Sequence, residues 1–186
     1  MPLTDVYLGL GSNTDRERNM LAALDVLAEL FGPLDCSPLF ESEPVGIRSG
    51  YFFNMVVRVC TAMPLASLVG QLKAIEARQG RLTAAPRQLP LDIDVLLYGD
   101  CAGVYDGLTL PRPRMLESAH VLWPLAMLAP GHLCPGATAT CAQLWQQFQP
   151  EHRLWPVALT WQGRQLTPAA LLQQAPAVDQ VVRERS

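Results

Sequence analysis

The order of the elements predicted for this 186-residue chain indicates an α/β (α+β) fold. Apolar strand-like segments alternate with segments of helical periodicity in the order β-α-β-β-α-β, which is the split βαβ, ferredoxin-like arrangement. Hydrophobic residues make up 49% of the chain and charged residues 17%, so a large core can be buried. We therefore expect one mostly antiparallel sheet with helices packed on one face.

The first half of the chain supplies the first three strands and a helix. A strand is predicted over residues 5–11, and Thr14-x-x-Glu17 is a capping-box pattern that opens the first helix. That helix ends at Gly32-Pro33. Residues 39–43 resemble a strand, residues 43–50 contain Pro and Gly and predict a loop, and residues 51–60 form a β-branched and aromatic strand.

The second half begins with a helix from Pro64 to about Gln79, followed by a polar loop and a strand at Asp92. Residues 108–115 are extended and basic, and residues 118–130 predict a helix that Pro124 strains or breaks. Weaker patterns indicate a helix at 141–148, a strand at 154–161 and a helix at 168–175. We assign residues 1–150 to one domain and residues 151–186 to a C-terminal extension of unknown role.

Composition argues against several classes of partner. The net charge of −3 provides no electrostatic reason to bind nucleic acid. No apolar run reaches 18 residues, so no membrane span is predicted, and the N-terminus lacks the basic region of a signal peptide. The five cysteines are scattered and odd in number, which is typical of free thiols in a reducing compartment. We expect a cytoplasmic protein, a monomer by default.

Two aspartates open the strand that starts at residue 92. Because strand side chains alternate, Asp92 and Asp94 point to one face, with Cβ atoms roughly 7 Å apart, while Ile93 points to the other. Two carboxylates so close repel each other unless a positive charge lies between them. Oxygen ligands of this kind suit Mg²⁺, which completes its coordination with water and phosphate oxygens. The pattern favours a metal site that accompanies a nucleotide, with a solvated strand end as the alternative.

Other polar residues add to this hypothesis. Arg81 and Arg87 precede the aspartates, and their guanidinium groups suit phosphates, although surface arginines also serve solubility. Glu76 lies on the apolar face of its helix, where it either takes part in a site or reaches water at the edge. Asn54 is unusual within a strand, and its side-chain amide can hydrogen-bond to the edge of an amide-like ring. Phe52 lies on the same face and can either stack on a flat ring or pack in the core.

Several segments, taken in order, resemble the 6-hydroxymethyl-7,8-dihydropterin pyrophosphokinase family of folate biosynthesis. They span roughly residues 5–135 and read YLGLGSN, SEPVG, YFFNMVV, IEARQGR, PLDIDVLLYGD, LTLPRPRM and VLWPL. The resemblance implies a ferredoxin-like fold and the Mg²⁺-dependent transfer of pyrophosphate from ATP to the hydroxymethyl oxygen of the pterin. Small molecules are then the expected partners.

The resemblance also implies roles for individual residues. Two Mg²⁺ ions are expected on Asp92 and Asp94, with Arg81 and Arg87 in the catalytic loop. The residues matching the family's pterin site are Ser42, Val45, Phe52, Asn54 and His120. The residues matching its ATP site are Glu76, Thr109, Arg112 and Arg114.

The chain departs from the family pattern in its catalytic loop and at the ligand-contacting positions. The loop before the aspartates is short and lacks Trp, and Arg87 lies five positions ahead of Asp92. The departures outside the loop are Phe52 for Tyr, Arg112 for His, Ser118 for Arg and His120 for Phe. Because histidine titrates near neutrality, pterin affinity is expected to vary between roughly pH 5.5 and 7.5. Two alternatives stay open: transfer to a related pterin, and a binding module that holds nucleotide or pterin without transfer.

Overall fold

The computed structural model describes residues 2–44 and 50–174. The strands are β1 Thr4–Ser12, β2 Asp35–Cys36, β3 Leu39–Ser42, β4 Phe52–Thr61, β5 Asp92–Tyr98, β6 Gly103–Tyr105, β7 Leu108–Leu110, β8 Leu154–Val157, β9 Thr160–Trp161 and β10 Arg164–Gln165. The helices are α1 Arg16–Phe31, α2 Leu65–Arg78, α3 Ala119–Leu128, α4 Cys141–Gln147 and α5 Ala169–Leu172.

The main sheet confirms the predicted β-α-β-β-α-β order. Its strands run β5-β1-β4-β3-β8, with β2 also pairing β4, and all of these pairings are antiparallel. The first and third core strands, β1 and β4, lie in the middle because both are long and apolar. Val6, Leu8 and Leu10 of β1 alternate into the core beneath α1 and α2.

The expectation that helices cover only one face is wrong. The apolar stripes of α1 and α2 pack on the face that carries Leu8 and Met55. On the opposite face, Leu125 and Ala126 of α3, with Cys141 of α4, pack against Tyr7 and Val56. These apolar side chains on the second face also need burial, which the strongly apolar α3 provides. The part of this face beyond the start of α3 holds the candidate site.

The predicted capping box at Thr14 is wrong. The residue before α1 is Asp15 in the left-handed region, with φ 41°, and it makes no side-chain cap. The Thr14 hydroxyl instead donates to Asn13 Oδ1 at 3.0 Å. A capping box is present at α4, where Thr140 and Gln143 bond reciprocally. The signature at Thr14 fails because the N-cap position is Asp15, one residue later, so Glu17 is not three residues after the cap.

The C-terminal segment contributes to the sheet. β8 pairs with β3, so Leu154–Val157 extends the sheet by one strand, and the predicted strand over 154–161 divides into β8 and β9. α3 continues through Pro124 without a break. The helix predicted over 168–175 is present as α5, and residue 175 lies outside the described residues. No helix in the described ranges combines the length and apolarity needed to cross a bilayer.

Candidate active site

Three residues on adjacent strands form one row across the open part of the sheet. Gly11 of β1 pairs with Asn54 of β4 on one side and with Asp92 of β5 on the other, so all three share a face. A Cβ atom at Gly11 would lie 3.5 Å from Asn54 Oδ1. The missing side chain therefore leaves a slot between an amide and a carboxylate.

This slot belongs to a cavity of about 190 Å³. The cavity unites five residues predicted for the pterin and metal sites: Ser42, Phe52, Asn54, Asp92 and His120. Its lining also contains Gly11, Glu43 and Leu89, which the sequence analysis did not select. Val45, the remaining predicted pterin residue, lies outside the described residues. Asn54 Nδ2 donates to Ser42 Oγ at 2.7 Å, which orients the amide and leaves its oxygen toward the slot.

The loop before β5 is held by Asn13. Asn13 Oδ1 accepts the Leu89 N–H at 2.6 Å, and Asn13 Nδ2 donates to the Arg87 carbonyl at 2.8 Å. The Arg87 side chain itself is exposed and does not line the 190 Å³ cavity, and its φ is 70°. The final Asn of the GLGSN motif could have indicated this clamp, because Asn readily bonds a nearby backbone.

Asp92 and Asp94 share a face of β5, as alternation predicts, and each meets a guanidinium group. Arg81 Nη1 lies 2.9 Å from Asp92 Oδ1, and Arg112 Nη2 lies 3.1 Å from Asp94 Oδ1. Burial raises the pKa of Asp94, and the like charge of Asp92 raises it further, against the opposing effect of Arg112. Two adjacent carboxylates thus retain a repulsion that a cation would relieve.

The donor set fits Mg²⁺ as far as the chain supplies it. Within residues 2–44 and 50–174, no three His, Cys, Asp or Glu side chains gather as a complete metal cluster. Asp92 and Asp94 each keep 31% of their side-chain surface exposed, so their oxygens remain reachable. Magnesium sites commonly use one or two carboxylates, with water and phosphate oxygens completing the shell.

Glu76 is buried rather than solvated at the edge of its helix, with 2% of its surface exposed. Its Oε1 accepts the Ile93 N–H at 2.8 Å, and its Oε2 pairs with Lys73 Nζ at 2.9 Å. The carboxylate therefore fixes the backbone between the two aspartates. This bond explains why a charge can occupy an apolar helix face.

A second cavity, of about 70 Å³, lies between α2 and β5. Its lining contains Lys73, Asp94 and Arg112 together with apolar residues such as Leu72 and Leu108. Asp92 lines the first cavity and Asp94 lines the second, so the two linings meet at the aspartate pair on the edge strand β5. Of the other residues predicted to contact ATP, Thr109 is exposed on the β6–β7 hairpin. Arg114 is exposed and pairs with Glu117 at 3.2 Å.

His120 is the second residue of α3 and lines the first cavity. Burial lowers its pKa, while Asp92 raises it and His152 lowers it. The ring is therefore expected to titrate at a lower pH than an ordinary histidine, on which the sequence-based expectation for pterin affinity was founded. Ser118 donates to the Arg114 carbonyl at 3.1 Å and lines an adjoining cavity of about 490 Å³, which also includes His120.

The C-terminal segment contacts residues at the edge of the 190 Å³ cavity. Arg153 Nε pairs with Glu43 Oε1 at 3.0 Å, and Glu43 N–H donates to the Arg153 carbonyl at 3.2 Å. Trp155 Nε1 donates to Glu41 Oε2 at 3.0 Å, while Arg16 Nη1 pairs with Glu41 Oε1 at 2.8 Å. Both glutamates lie at the end of β3 that leads into the cavity.

Comparison with known proteins identifies relatives of this arrangement. The family model described as 7,8-dihydro-6-hydroxymethylpterin-pyrophosphokinase matches residues 7–130. A Pseudomonas aeruginosa 2-amino-4-hydroxy-6-hydroxymethyldihydropteridine pyrophosphokinase is 37% identical over 149 residues, covering 73% of this chain and 91% of that protein. A Porphyromonas gingivalis protein of the same name is 35% identical over 133 residues, covering 67% of this chain and 90% of the relative.

Other relatives are much longer than this chain. The Schizosaccharomyces pombe folic acid synthesis protein fol1 is 34% identical over 69% of this chain, which spans only 18% of that protein. A crystal structure of a triple mutant of Plasmodium falciparum HPPK-DHPS with pteroate matches with a TM-score of 0.63 and 14% identity, over 78% of this chain and 43% of that one. This structural match supports the fold. The family model and the relatives of similar length show that the chain belongs to the 7,8-dihydro-6-hydroxymethylpterin-pyrophosphokinase family.

Proposed function

We propose that the protein transfers pyrophosphate from ATP to the hydroxymethyl oxygen of 6-hydroxymethyl-7,8-dihydropterin in a Mg²⁺-dependent step of folate biosynthesis. The pyrophosphokinase family supports the reaction class. The observation that carries the proposal is that Asp92 and Asp94 each line one of two neighbouring cavities. The first cavity contains an amide and aromatic rings, which suit a pterin, and the second contains Lys73 and Arg112, which suit phosphate groups.

On the acceptor side, Asn54 and Ser42 bind the polar edge of the pterin, and Phe52 and His120 flank its ring. The Asn54–Ser42 hydrogen bond holds the amide in place before the ligand arrives. Gly11 leaves room for the ring next to Asp92. The hydroxymethyl oxygen then lies near the aspartates, where the transfer takes place.

On the nucleotide side, Lys73, Arg81 and Arg112 provide positive charge along the aspartate strand. The reaction forms a bond from the hydroxymethyl oxygen to the β-phosphorus, breaks the bond to the α-phosphate oxygen and releases AMP. Bound Mg²⁺ would neutralise the negative charge on the phosphate oxygens during the transfer. Glu76 holds the Ile93 amide and thereby keeps the two aspartates in a fixed register.

The test is an assay with protein, MgCl₂, ATP and 6-hydroxymethyl-7,8-dihydropterin, in which the nucleotide products are separated. The proposal expects AMP and the pterin diphosphate in equal amounts, and no product after Mg²⁺ is chelated. ADP would indicate single phosphoryl transfer and contradict the proposal. The Asp92→Asn/Asp94→Asn double variant controls for contaminating activity.

The binding-module alternative is favoured by one observation, the exposed Arg87 side chain in a loop without Trp. It expects saturable binding of ATP and pterin with no AMP above the double-variant background. A related pterin as acceptor would appear as faster AMP release with that compound. A cytoplasmic location, the two-domain division at residue 150 and the number of metal ions remain predictions.

A further inference from the structure

A larger cavity, of about 660 Å³, lies at the far end of the sheet from the candidate active site. It shares no lining residue with the cavity around Asn54. Tyr7, Arg58 and Asp35 lie side by side there on β1, β4 and β2. Gly11 lies four positions after Tyr7 on β1, which corresponds to about 13 Å along the strand. This volume falls in the range of small-molecule sites.

Tyr7 brings a hydroxyl to this cavity. Only 7% of the residue is exposed, and its hydroxyl makes no hydrogen bond with any residue in the described ranges. Burial raises the pKa of Tyr7, so the hydroxyl is neutral and can donate at physiological pH. The hydroxyl can therefore bond a ligand or a water molecule in the cavity.

The charges at the cavity are balanced in number, with two arginines and two aspartates, but they are unevenly placed. Arg164 lines it and forms no ion pair with a residue that the structure describes. Arg58 is offset by Asp5 and by Asp35, the single carboxylate in the described lining. Arg58 Nε and His132 Nε2 are buried and lack hydrogen-bond partners. Both aspartates lie at Arg58, so the Arg164 side of the cavity is the positive one, which favours an anion there.

The walls are flat and partly apolar. The rings of Tyr7 and His132 lie with centroids 5.3 Å apart at a tilt of 44°. Trp161 lines the same cavity, and its indole N–H donates to Asp25 Oδ1 at 2.8 Å. The ring therefore offers a ligand an apolar surface. Aromatic side chains around a few polar groups are typical of sites for small organic molecules.

We propose that this cavity binds a small organic anion with a flat aromatic body. Arg164 and the Tyr7 hydroxyl hold its carboxylate, and the aromatic ring lies against Trp161 and His132. A neighbouring cavity of about 460 Å³ meets this one at Tyr7 and His132 but contains Asp5 and Asp100, so the anion is placed on the Arg164 side. The inference does not depend on the proposed transferase reaction.

The test is a titration of the ¹⁵N-labelled full chain with 2-naphthoate, with 2-naphthamide as the neutral analogue, followed by NMR at the Trp161 indole. Saturable binding is expected, about tenfold weaker for naphthamide, for Arg164→Gln and for Tyr7→Phe, because each removes a charge-assisted contact. Arg18→Gln, an exposed arginine on α1, should leave the dissociation constant unchanged.

Three results would overturn the site. They are no saturable binding up to about 5 mM, equal affinity for naphthamide, and binding that is lost in Asn54→Ala but kept in Arg164→Gln. The last result would place the anion in the candidate active site. If Tyr7→Phe unfolds the protein, Arg164→Gln alone tests the site. This variant should fold, because Arg164 is exposed on a surface hairpin.

Discussion

Asn13 and Leu89 are joined by two hydrogen bonds, although 76 positions separate them in the chain. The Asn13 N–H donates to the Leu89 carbonyl at 3.0 Å, and the Leu89 N–H donates to Asn13 Oδ1 at 2.6 Å. Leu89 lines the candidate pterin cavity. The end of β1 therefore sets the position of the loop that leads to the aspartates.

Asn13→Ala should release this loop. The Leu89 amide should exchange with solvent faster, and the free energy of unfolding should fall by about 0.5–1.5 kcal/mol, since the part-buried Leu89 N–H and the exposed Arg87 carbonyl each lose a hydrogen bond. Hydrogen exchange measured by NMR checks the first effect. Asn19→Ala is the matched control, because Asn19 bonds the Thr14 carbonyl and does not touch the loop. Equal protection of Leu89 in both variants would show that the clamp has no such role.

Asp92→Asn and Asp94→Asn should each remove several kcal/mol of transition-state stabilisation, seen as a loss of AMP formation. Neither should lower the melting temperature without Mg²⁺. The raised pKa of Asp94 means that its charged form opposes folding above that pKa, so neutral Asn relieves a cost at pH 7. Asp106→Asn, an exposed aspartate in the β6–β7 turn, should leave both measurements unchanged. Full turnover by the double Asn variant would remove these residues from the site.

Gly11→Ala and Gly9→Ala form a matched pair on β1. The Cβ added at Gly11 meets Asn54 Oδ1 at an ordinary 3.5 Å, so the protein should fold, with pterin affinity reduced and ATP affinity kept. The Cβ added at Gly9 would lie 3.3 Å from Leu96 Cδ2, which should destabilise the core by about 1–3 kcal/mol. Calorimetry and ligand titration separate the two effects. Unchanged pterin affinity in Gly11→Ala would mean that the slot is not used.

Asn54→Ala should weaken pterin binding far more than ATP binding, because the unmet hydrogen bonds fall on the pterin side. Its partner Ser42 also loses an interaction, so Ser42→Ala serves as the comparison and should have the smaller effect. Isothermal titration with each ligand gives the two affinities. Equal losses for pterin and ATP would indicate a structural role for Asn54.

Trp155→Phe and Trp161→Phe test the support that the C-terminal segment provides. Trp155 donates to Glu41, a carboxylate only 3% exposed, so its loss should cost about 1.5–3 kcal/mol of unfolding free energy. Trp161 donates to Asp25 in an exposed setting, where the same change should cost under about 1 kcal/mol. Urea unfolding measures both. Similar small losses would mean that Glu41 does not depend on the Trp155 hydrogen bond.

His120 should titrate below the ordinary histidine value of about 6.5, because burial disfavours its charged form. The unfolded chain then takes up the proton first as pH falls. Stability should therefore decline from about pH 6.5 downward until the folded pKa is reached. NMR titration of the ring and unfolding at several pH values check this expectation. His120→Phe should flatten that part of the stability profile, and a ring that titrates above 6.5 would contradict the assignment.

Local periodicity was enough to predict the element order, the antiparallel sheet and the shared face of Asp92 and Asp94. Strand alternation and helical spacing repeat within a few residues, so they can be read without knowing any partner. The same reasoning placed Phe52 and Asn54 on one face, and the structure puts both in one cavity. The residue roles taken from the family resemblance remain predictions.

Only the tertiary structure decided which distant residues meet. Gly11 acquires its significance from Asn54 and Asp92, which belong to two other strands. Glu76 is buried because the Ile93 amide lies within hydrogen-bonding distance, and the C-terminal segment meets Glu41 and Glu43 through β8 pairing. Such contacts arise from packing between elements far apart in the chain, and no short-range pattern encodes them. The sequence alone thus determined the strands and their faces, while the fold determined the row, the clamp and the two cavities at the aspartates.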